Sequence, residues 1–306
     1  MNKQPTILRV GVVFAIFLLL VAAAPNIPPS AILGIPTMVV ANENDTLLDL
    51  AQLYDVGFVE MREANPGVDP WMPGAGRPIR VPTEHILPDA PHSGIVINLS
   101  ELRLYYFPPH GEVRSFPIGT GDEGKATPTG TTRIARRQQH PTWIPTKSEH
   151  EEDPALPDAV GPGPDNPMGN FALYLAWSGY AIHGTNKPDS IGRRDSHGCI
   201  RLYPADIEWL YSHIALGSPV TVVNQPAKLA WVDGELFLEV HPLQDDIDAI
   251  ELSGQPNSNA GIDADDLVLK AAGAERNRLN WYAIHLAEAR RDGMPVQITR
   301  PAGTPD

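Results

Sequence analysis

The only cysteine of this 306-residue chain, Cys199, lies in the stretch SHGCIRL at residues 196–202. A thiol attacks a carbonyl carbon as its thiolate, so a catalytic cysteine needs a nearby base or a positive field. Two histidines, His183 and His197, could act as that base. Residue types in this arrangement are suited to covalent catalysis by the cysteine.

Neighbouring residues meet further requirements of such a reaction. Gly198 directly precedes the cysteine, and a glycine there lets the chain bring backbone N–H groups close to a developing oxyanion. Three arginines, Arg193, Arg194 and Arg201, lie within a few positions and would supply a positive field. The stretch therefore predicts a thiol site that also stabilises negative charge.

Each of these features also has a simpler interpretation. A lone cysteine is often a small buried apolar residue, and in an exported protein it could pair with another chain. Zinc binding is a further alternative, but the chain has one cysteine and no H-x-x-x-H or C-x-x-C spacing. We therefore expect no metal site and no cofactor.

A β-rich pattern between residues 93 and 224 predicts how the reactive side chains are positioned. Short β-branched and aromatic runs alternate with turn residues there, and only residues 205–215 show a clear helical pattern. The run YAIHG predicts a strand that ends at His183, after which a loop returns the chain to Cys199. The proline-rich segment 145–170 is long for a connection, so we expect a binding loop or lid.

The N-terminal residues have the pattern of an export signal. Lys3 and Arg9 precede an apolar run at residues 10–21, and small residues follow it. Because that run is shorter than the about 20 apolar residues of a membrane span, we expect residues 1–24 to be cleaved rather than kept as an anchor. Residues 25–35 are rich in proline and predict an extended linker.

Residues 36–82 predict a separate small α+β module. The order is a short strand, a helix capped by Asp45 or Thr46, a second helix at residues 57–64 and a closing strand in RPIRVP. This segment resembles a LysM module through NDTL at residues 44–47, Asn65-Pro66 and the closing IRVP. The resemblance implies binding of glycans that contain N-acetylglucosamine, although a structural module without a ligand stays an alternative.

The net charge limits the classes of partner, and the sequence after residue 224 predicts further elements. A formal net charge of -14 argues against nucleic acid or an anionic membrane surface as a partner. Residues 225–306 predict a hairpin that turns at Asp233-Gly234, a linker and one helix at residues 265–291. We expect this extension to pack against the preceding domain.

The stretch IHGTNKPDSIGRRDSHGCIRL at residues 182–202 resembles the signature of the YkuD-type L,D-transpeptidases. TPTGTTRI at residues 127–134, HPTWIPT at 140–146 and NPMGNFALYL at 166–175 extend the likeness, which covers most of residues 36–242 and favours the lipoprotein-anchoring branch. It implies a mainly β catalytic domain at residues 93–224, a YkuD-like β-sandwich with one or two helices. Residues 250–306 lie beyond it.

The resemblance also implies a role for each candidate residue. Cys199 would be the nucleophile and His183 the general base and acid, oriented by a backbone carbonyl. His197, Gly198 and Cys199 would donate their N–H groups to the oxyanion, with Ser196 and Gly184 in support. Arg201 would support the site or bind a substrate carboxylate, because guanidinium groups hold carboxylates bidentately. Arg193 and Arg194 would also bind substrate or would be solvated loop residues.

The implied reaction is periplasmic and acts on peptidoglycan. Cys199 would form a thioester with a tetrapeptide stem, and an amine would resolve it. That amine is either another stem's diaminopimelate, giving a 3-3 crosslink, or the C-terminal lysine of an outer-membrane lipoprotein. A carboxypeptidase that uses water and a non-catalytic wall-binding protein are the alternatives.

Overall fold

The computed structural model describes residues 31–122, 124–256 and 262–301. The predicted signal at residues 1–24 and most of the predicted linker lie outside the described residues. The described end of that linker departs from the prediction, because Ile32–Leu33 (β1) pairs antiparallel with His85–Ile86 (β4). None of the helices in the described ranges is long and apolar enough to cross a membrane.

The N-terminal module has the predicted order of elements. Its strands Thr37–Val40 (β2) and Pro78–Val81 (β3) pair antiparallel, and the helices Leu47–Tyr54 (α1) and Phe58–Glu63 (α2) lie between them in the chain. Thr46 begins α1 through a reciprocal capping box with Asp49. The module has its own apolar core, which includes Leu47 and Ile79.

Ten strands follow in the catalytic region. They are Gly94–Asn98 (β5), Arg103–Phe107 (β6), Arg114–Pro117 (β7), Thr120–Gly121 (β8), Gly130–Gln139 (β9), Phe171–Leu175 (β10), Ala181–His183 (β11), Arg194–Ser196 (β12), Ile200–Arg201 (β13) and Pro219–Val223 (β14). Eight of them form one mixed sheet in the order β13-β11-β10-β9-β14-β5-β6-β7, while β8 pairs with β12.

The eight strands pair continuously, but β14 pairs with residues 130–133 of β9 and β10 with residues 134–139, so β9 passes from one group of strands to the other, as in the expected β-sandwich. Directly after β7, Gly119 and Arg201 exchange two backbone hydrogen bonds of 2.9 Å, which bring the two edges of the sheet together. Strands from both ends contribute to the same core, including Leu104 from β6 and Ile182 from β11. The sheet therefore bends around one core, and the bend places the loop before β13 at the junction of its edges.

Two helices and one short 3-10 helix accompany this sheet. The predicted helix is present as Pro204–His213 (α4), and Pro188–Ser190 forms the 3-10 turn between β11 and β12. A second helix, Lys147–Glu152 (α3), lies in the long loop where the sequence predicted no helix. Its sequence KSEHEE has no apolar face, so the hydrophobic period that reveals a helix is missing.

The C-terminal extension contains the predicted hairpin, Ala227–Val232 (β15) and Glu235–Val240 (β16). The single helix expected at residues 265–291 is not observed. Its place is taken by Asp265–Ala272 (α6), a 3-10 helix Gly273–Arg278 and Trp281–Arg290 (α7). Gly273 has a φ of 53°, which ends α6, and the side chain of Asn280 caps α7. Two further elements, Gln244–Ser253 (α5) and Val296–Gln297 (β17), were not predicted.

The N-terminal module packs closely on the loop that leads to the cysteine. The backbone N–H of Val59 donates to the carbonyl of Gly192 at 3.1 Å. A Cβ on Gly192 would lie 2.3 Å from Cα of Gly57, so the two backbones touch where a side chain would not fit. Beside this contact, the buried Arg103 pairs with the buried Glu60 at 2.9 Å.

Candidate active site

The sheet places Cys199 and His183 on one face. In the parallel pair of β11 and β13, Ile182 lies opposite Ile200, and both point into the core. Since side chains alternate along a strand, His183 lies on the opposite face, as does Ala181. Cys199 packs in the cluster that contains Ala181, so thiol and imidazole share the outer face at the sheet edge.

The orientation of the His183 ring follows from one hydrogen bond. Its Nδ1 lies 2.6 Å from the carbonyl oxygen of Gly184. A carbonyl oxygen only accepts, so Nδ1 carries the proton and Nε2 keeps a free lone pair. A backbone carbonyl therefore orients the imidazole, which is the arrangement that the family resemblance implied for a base.

Burial keeps that imidazole neutral. His183 is buried, and this burial lowers its pKa to about 4, against the hydrogen bond to Gly184 and with the help of the nearby Arg201 charge. The ring is then a neutral acceptor at neutral pH. Its conjugate acid would be strong enough to return a proton to a leaving group.

The thiol is neutral as well. Burial raises the pKa of Cys199 above its ordinary value, and the charge of Glu149 adds to this, against a backbone hydrogen bond at Ala181 and the Arg201 charge. The Sγ atom lies 3.6 Å from the carbonyl oxygen of Gly179, to which it donates. The thiol and the imidazole are therefore both uncharged at neutral pH.

These pKa values predict an unusual acid limb of the pH profile. The reactive form needs neutral His183, so activity is lost only as pH falls through its pKa of about 4. We expect acylation at pH 5.5 to stay close to the rate at pH 7. An imidazole of ordinary pKa would lose about nine-tenths of its neutral form over that interval. The measurement is the acylation rate of the free enzyme against pH, with tryptophan fluorescence as a control for folding; an inflection near pH 6.5 would contradict the assignment.

The turn before the nucleophile is held by the Ser196 hydroxyl. Its Oγ donates to the carbonyl of Cys199 at 2.7 Å and accepts the N–H of Gly198 at 3.1 Å. Gly198 has a φ of 99°, and a Cβ there would lie 2.9 Å from Tyr180 Cε1. Thr127, from the TPTG stretch, donates to the carbonyl of Gly198 at 2.9 Å. Glycine is required here by conformation and by space.

This bracing changes the predicted set of oxyanion donors. The N–H of Gly198 is taken by Ser196, and the N–H of Gly184 donates to Phe171 at 3.1 Å, so neither is available. Among the residues that the structure describes, the N–H groups of His197 and Cys199 have no hydrogen-bond partner. The predicted donor set is thus reduced to these two groups, with Ser196 and Gly184 as supports.

The His197 side chain faces away from the proton-transfer pair. Its Nε2 lies 2.8 Å from Lys125 Nζ and 2.9 Å from Glu152 Oε2, and its Nδ1 lies 3.6 Å from Glu149 Oε1. A ring engaged by three charged groups is a poor general base for the thiol. The geometry agrees with the choice of His183.

Two of the three arginines pair with carboxylates of another element. Arg193 Nη1 lies 2.5 Å from Glu251 Oε1 and Arg194 Nη1 lies 3.3 Å from Asp248, so both guanidinium groups bind α5. The Arg193 guanidinium also lies 4.1 Å from the ring centroid of Phe58. Their predicted role in substrate binding is therefore corrected, because they join the catalytic loop to α5 and α2.

Arg201 stays a candidate for binding a carboxylate. It lies opposite His183 in the sheet register, and its side chain is 21% exposed. Its contact with Asp195 is long, at 3.5 Å, and Asp195 is itself exposed. A substrate carboxylate could replace that contact at little cost.

Sequence reasoning missed the residues of the long loop that reach the site. Glu149 and Glu152 come from α3, and Lys125 lies on the segment after β8; their sequence carries no motif that would have indicated them. Asn166 is the first residue of the NPMGN stretch. Its side-chain amide donates to the carbonyls of Pro141 and Val160 at 2.8 and 3.1 Å. Asn166 therefore closes the base of the loop.

Comparisons with known proteins agree with this geometry. The family model of the YkuD L,D-transpeptidase catalytic domain matches residues 92–222. The probable L,D-transpeptidase YcfS of Escherichia coli K12 is 45% identical over 221 residues, 69% of each chain. The probable L,D-transpeptidase ErfK/SrfK of Salmonella typhimurium is 38% identical and covers 97% of this chain and 99% of its own. The probable L,D-transpeptidase YbiS of Escherichia coli K12 is 46% identical over 61% of this chain and 63% of its own. The chain therefore belongs to the L,D-transpeptidase family.

Proposed function

We propose that the protein is a periplasmic L,D-transpeptidase that acts on peptidoglycan through a thioester on Cys199. The observation that carries the proposal is the placement of a neutral thiol and a neutral, correctly oriented imidazole on one sheet face. Such a pair is suited to acyl transfer from an amide without a metal or cofactor.

Acylation begins when Cys199 Sγ attacks the carbonyl carbon of the third residue of a tetrapeptide stem. The S–H proton passes to Nε2 of His183 as the carbon–sulfur bond forms. The oxyanion is stabilised by the unpaired N–H groups of His197 and Cys199. His183 then protonates the nitrogen of D-alanine, which leaves, and a thioester remains.

Transfer reverses these roles. An amine attacks the thioester, His183 removes a proton from the attacking nitrogen, and Cys199 leaves as a thiol after reprotonation. The amine is either the side-chain amine of a second diaminopimelate or the C-terminal lysine of an outer-membrane lipoprotein. With water in place of the amine, the same cycle would give an L,D-carboxypeptidase.

The N-terminal module supports the wall as the place of action. Residues 36–82 form a strand, two helices and a strand around their own core, the architecture of the LysM-like pattern read from the sequence. We propose that this module binds glycan strands. Its close packing on the loop before Cys199 would hold a bound strand at a fixed distance from the thiol.

A non-catalytic wall-binding protein is the alternative from another class. Such a protein has no use for an oriented, neutral base beside a thiol or for a glycine-dependent turn held by Ser196. These features favour catalysis over binding alone.

Intact-protein mass spectrometry tests the proposal. The purified chain is mixed with a disaccharide-tetrapeptide alone, with an excess of the same stem as acceptor, or with a lysine-ended peptide. We expect a protein adduct with the mass of the stem minus D-alanine, and the product masses identify the acceptor. A folded protein that binds sacculi but forms neither adduct nor product would overturn the enzymatic function.

A further inference from the structure

Four charged or titratable side chains meet beside the catalytic turn and have no role in the proton transfers described above. We call Lys125, Glu149, Glu152 and His197 the lid cluster. Lys125 Nζ lies 2.6 Å from Glu152 Oε2 and 2.8 Å from His197 Nε2, and His197 contacts both glutamates. The cluster combines one ammonium, two carboxylates and an imidazole at one place.

Polar contacts attach α3 to this place. None of its six residues is buried, and Thr146 caps it through Glu149. In α3, only Glu149 and Glu152 contact Lys125 and His197. An apolar helix face would fix α3 permanently, whereas ion pairs between partly exposed groups are exchanged readily for others.

The lid cluster lies within reach of the acylated sulfur. His197 is two residues before Cys199, so their Cα atoms are at most about 7 Å apart. Glu149 is close enough for its charge to raise the pKa of the Cys199 thiol. A side chain as long as that of lysine on the attacked residue is therefore long enough to reach these four groups.

The third residue of the donor stem has a side chain of that kind. When it is diaminopimelate, its side chain ends in an ammonium and a carboxylate on one carbon. We propose that the lid cluster recognises this zwitterionic end, with Lys125 binding the carboxylate and Glu149 and Glu152 binding the ammonium. This inference rests on the proposed function, and it assigns Lys125, Glu149 and Glu152 as specificity-determining residues.

An exchange of ion pairs explains why such a site would distinguish a zwitterionic side-chain end from one that carries a single charge. In the free protein, Lys125 and Glu152 satisfy each other at 2.6 Å. A zwitterion replaces that pair by two new pairs, so no charge is left alone. A side chain with only one of the two charges takes one partner and leaves the other unpaired, which costs affinity.

Three donor stems test this assignment: one with diaminopimelate, one with lysine, which lacks the distal carboxylate, and one whose distal amine is acetylated. We expect the wild-type chain to acylate about tenfold more slowly with either analogue, measured as kcat/KM. Lys125→Gln should lower the rate with diaminopimelate to that with lysine, while the rate with the lysine stem stays the same. Lys125→Arg should keep the preference.

The glutamates are tested with the acetylated donor. The double substitution Glu149→Gln, Glu152→Gln should remove the preference for a free distal amine, while the distal carboxylate is still recognised. Lys147→Gln and Glu151→Gln are matched controls on the same helix, because those side chains are 91% and 66% exposed and pair with each other. Neither control should change any ratio.

The outcomes separate this inference from the proposed function. If the wild-type chain forms no adduct with any donor, the proposed function fails. If it forms adducts but Lys125→Gln keeps the wild-type ratio between diaminopimelate and lysine stems, the lid cluster is not the subsite. An unchanged rate of Cys199 alkylation by iodoacetamide in Lys125→Gln shows that the nucleophile itself is intact.

Discussion

Cys199→Ala is expected to abolish both the covalent adduct and the release of D-alanine. The chain has no second cysteine, so no other thiol could take over. Loss of the nucleophile removes the covalent route entirely, and a fall on the order of 10⁶-fold in kcat is expected by analogy with other covalent enzymes. The measurement combines intact-protein mass spectrometry with a D-alanine assay on the same samples.

Folding should be unaffected by this substitution. The Cys199 side chain is only partly buried, and its thiol donates to the carbonyl of Gly179 at the long distance of 3.6 Å. We expect a melting temperature close to that of the wild-type chain and unchanged binding to sacculi. Cys199→Ser, whose hydroxyl is a far weaker nucleophile, should also lose turnover. D-alanine release by folded Cys199→Ala would show that the reaction proceeds elsewhere.

Much of the candidate site could be predicted because its reactive groups lie in local sequence patterns. The run YAIHG predicted a strand that ends at His183, and the structure has the strand Ala181–His183. The helix expected at residues 205–215 is observed as Pro204–His213. Gly198 was identified from its place before the cysteine, and its positive φ is a local backbone property. Local patterns therefore suffice to locate the cysteine, the strand that carries His183 and the turn before Cys199, whereas the choice of His183 over His197 as the base came from the family resemblance.

The roles of the arginines could not be predicted in this way. Arg193 and Arg194 carry the same charge as Arg201 and lie closer to one another in the sequence. Their partners on α5, Glu251 and Asp248, are 58 and 54 residues away. No local pattern indicates which guanidinium groups find such distant carboxylates and which stay available.

The edge-to-edge closure of the sheet was missed for a related reason. The strands were predicted from their own composition. The two hydrogen bonds between Gly119 and Arg201, however, join residues more than eighty positions apart in the sequence. Register between distant strands depends on the whole core, whereas strand existence depends on a few neighbouring residues. The strand pattern therefore predicted a mainly β domain, but not how the edges of its sheet meet.

The C-terminal hairpin buries a charged side chain that a hydrophobic pattern does not reveal. In β15, the polar Lys228 and the small Ala230 point inward, while Trp231 is exposed. Lys228 Nζ lies 2.6 Å from Glu101 Oε2 and 2.8 Å from Glu239 Oε1. On the other face of β15, Leu229 packs against the C-terminal apolar core, so both faces of the strand are covered and only one of them is apolar.

The buried ammonium joins the hairpin to the catalytic region. Lys228 also donates to the carbonyl of Ile86 at 2.6 Å, and Glu101 lies in the turn between β5 and β6. Burial would lower the pKa of Lys228, but the charges of Glu101 and Glu239 outweigh it and hold the pKa above its ordinary value. The network therefore carries a full positive charge between two carboxylates at any pH where the protein works.

Lys228→Met is expected to destabilise the protein strongly, because it leaves Glu101 and Glu239 buried without their cation. Removing one partner of a buried ion pair costs about 3–5 kcal/mol, and for a chain of this size that lowers the melting temperature by roughly 5–8 °C. Differential scanning fluorimetry measures the shift, and Lys270→Met, on a largely solvent-facing part of α6, is the control that should move it little. Adding Glu101→Gln and Glu239→Gln to Lys228→Met should restore part of the loss, since the uncompensated charges are then gone. A melting temperature for Lys228→Met within a degree or two of the wild type would mean that hairpin and catalytic region are held together by apolar packing alone.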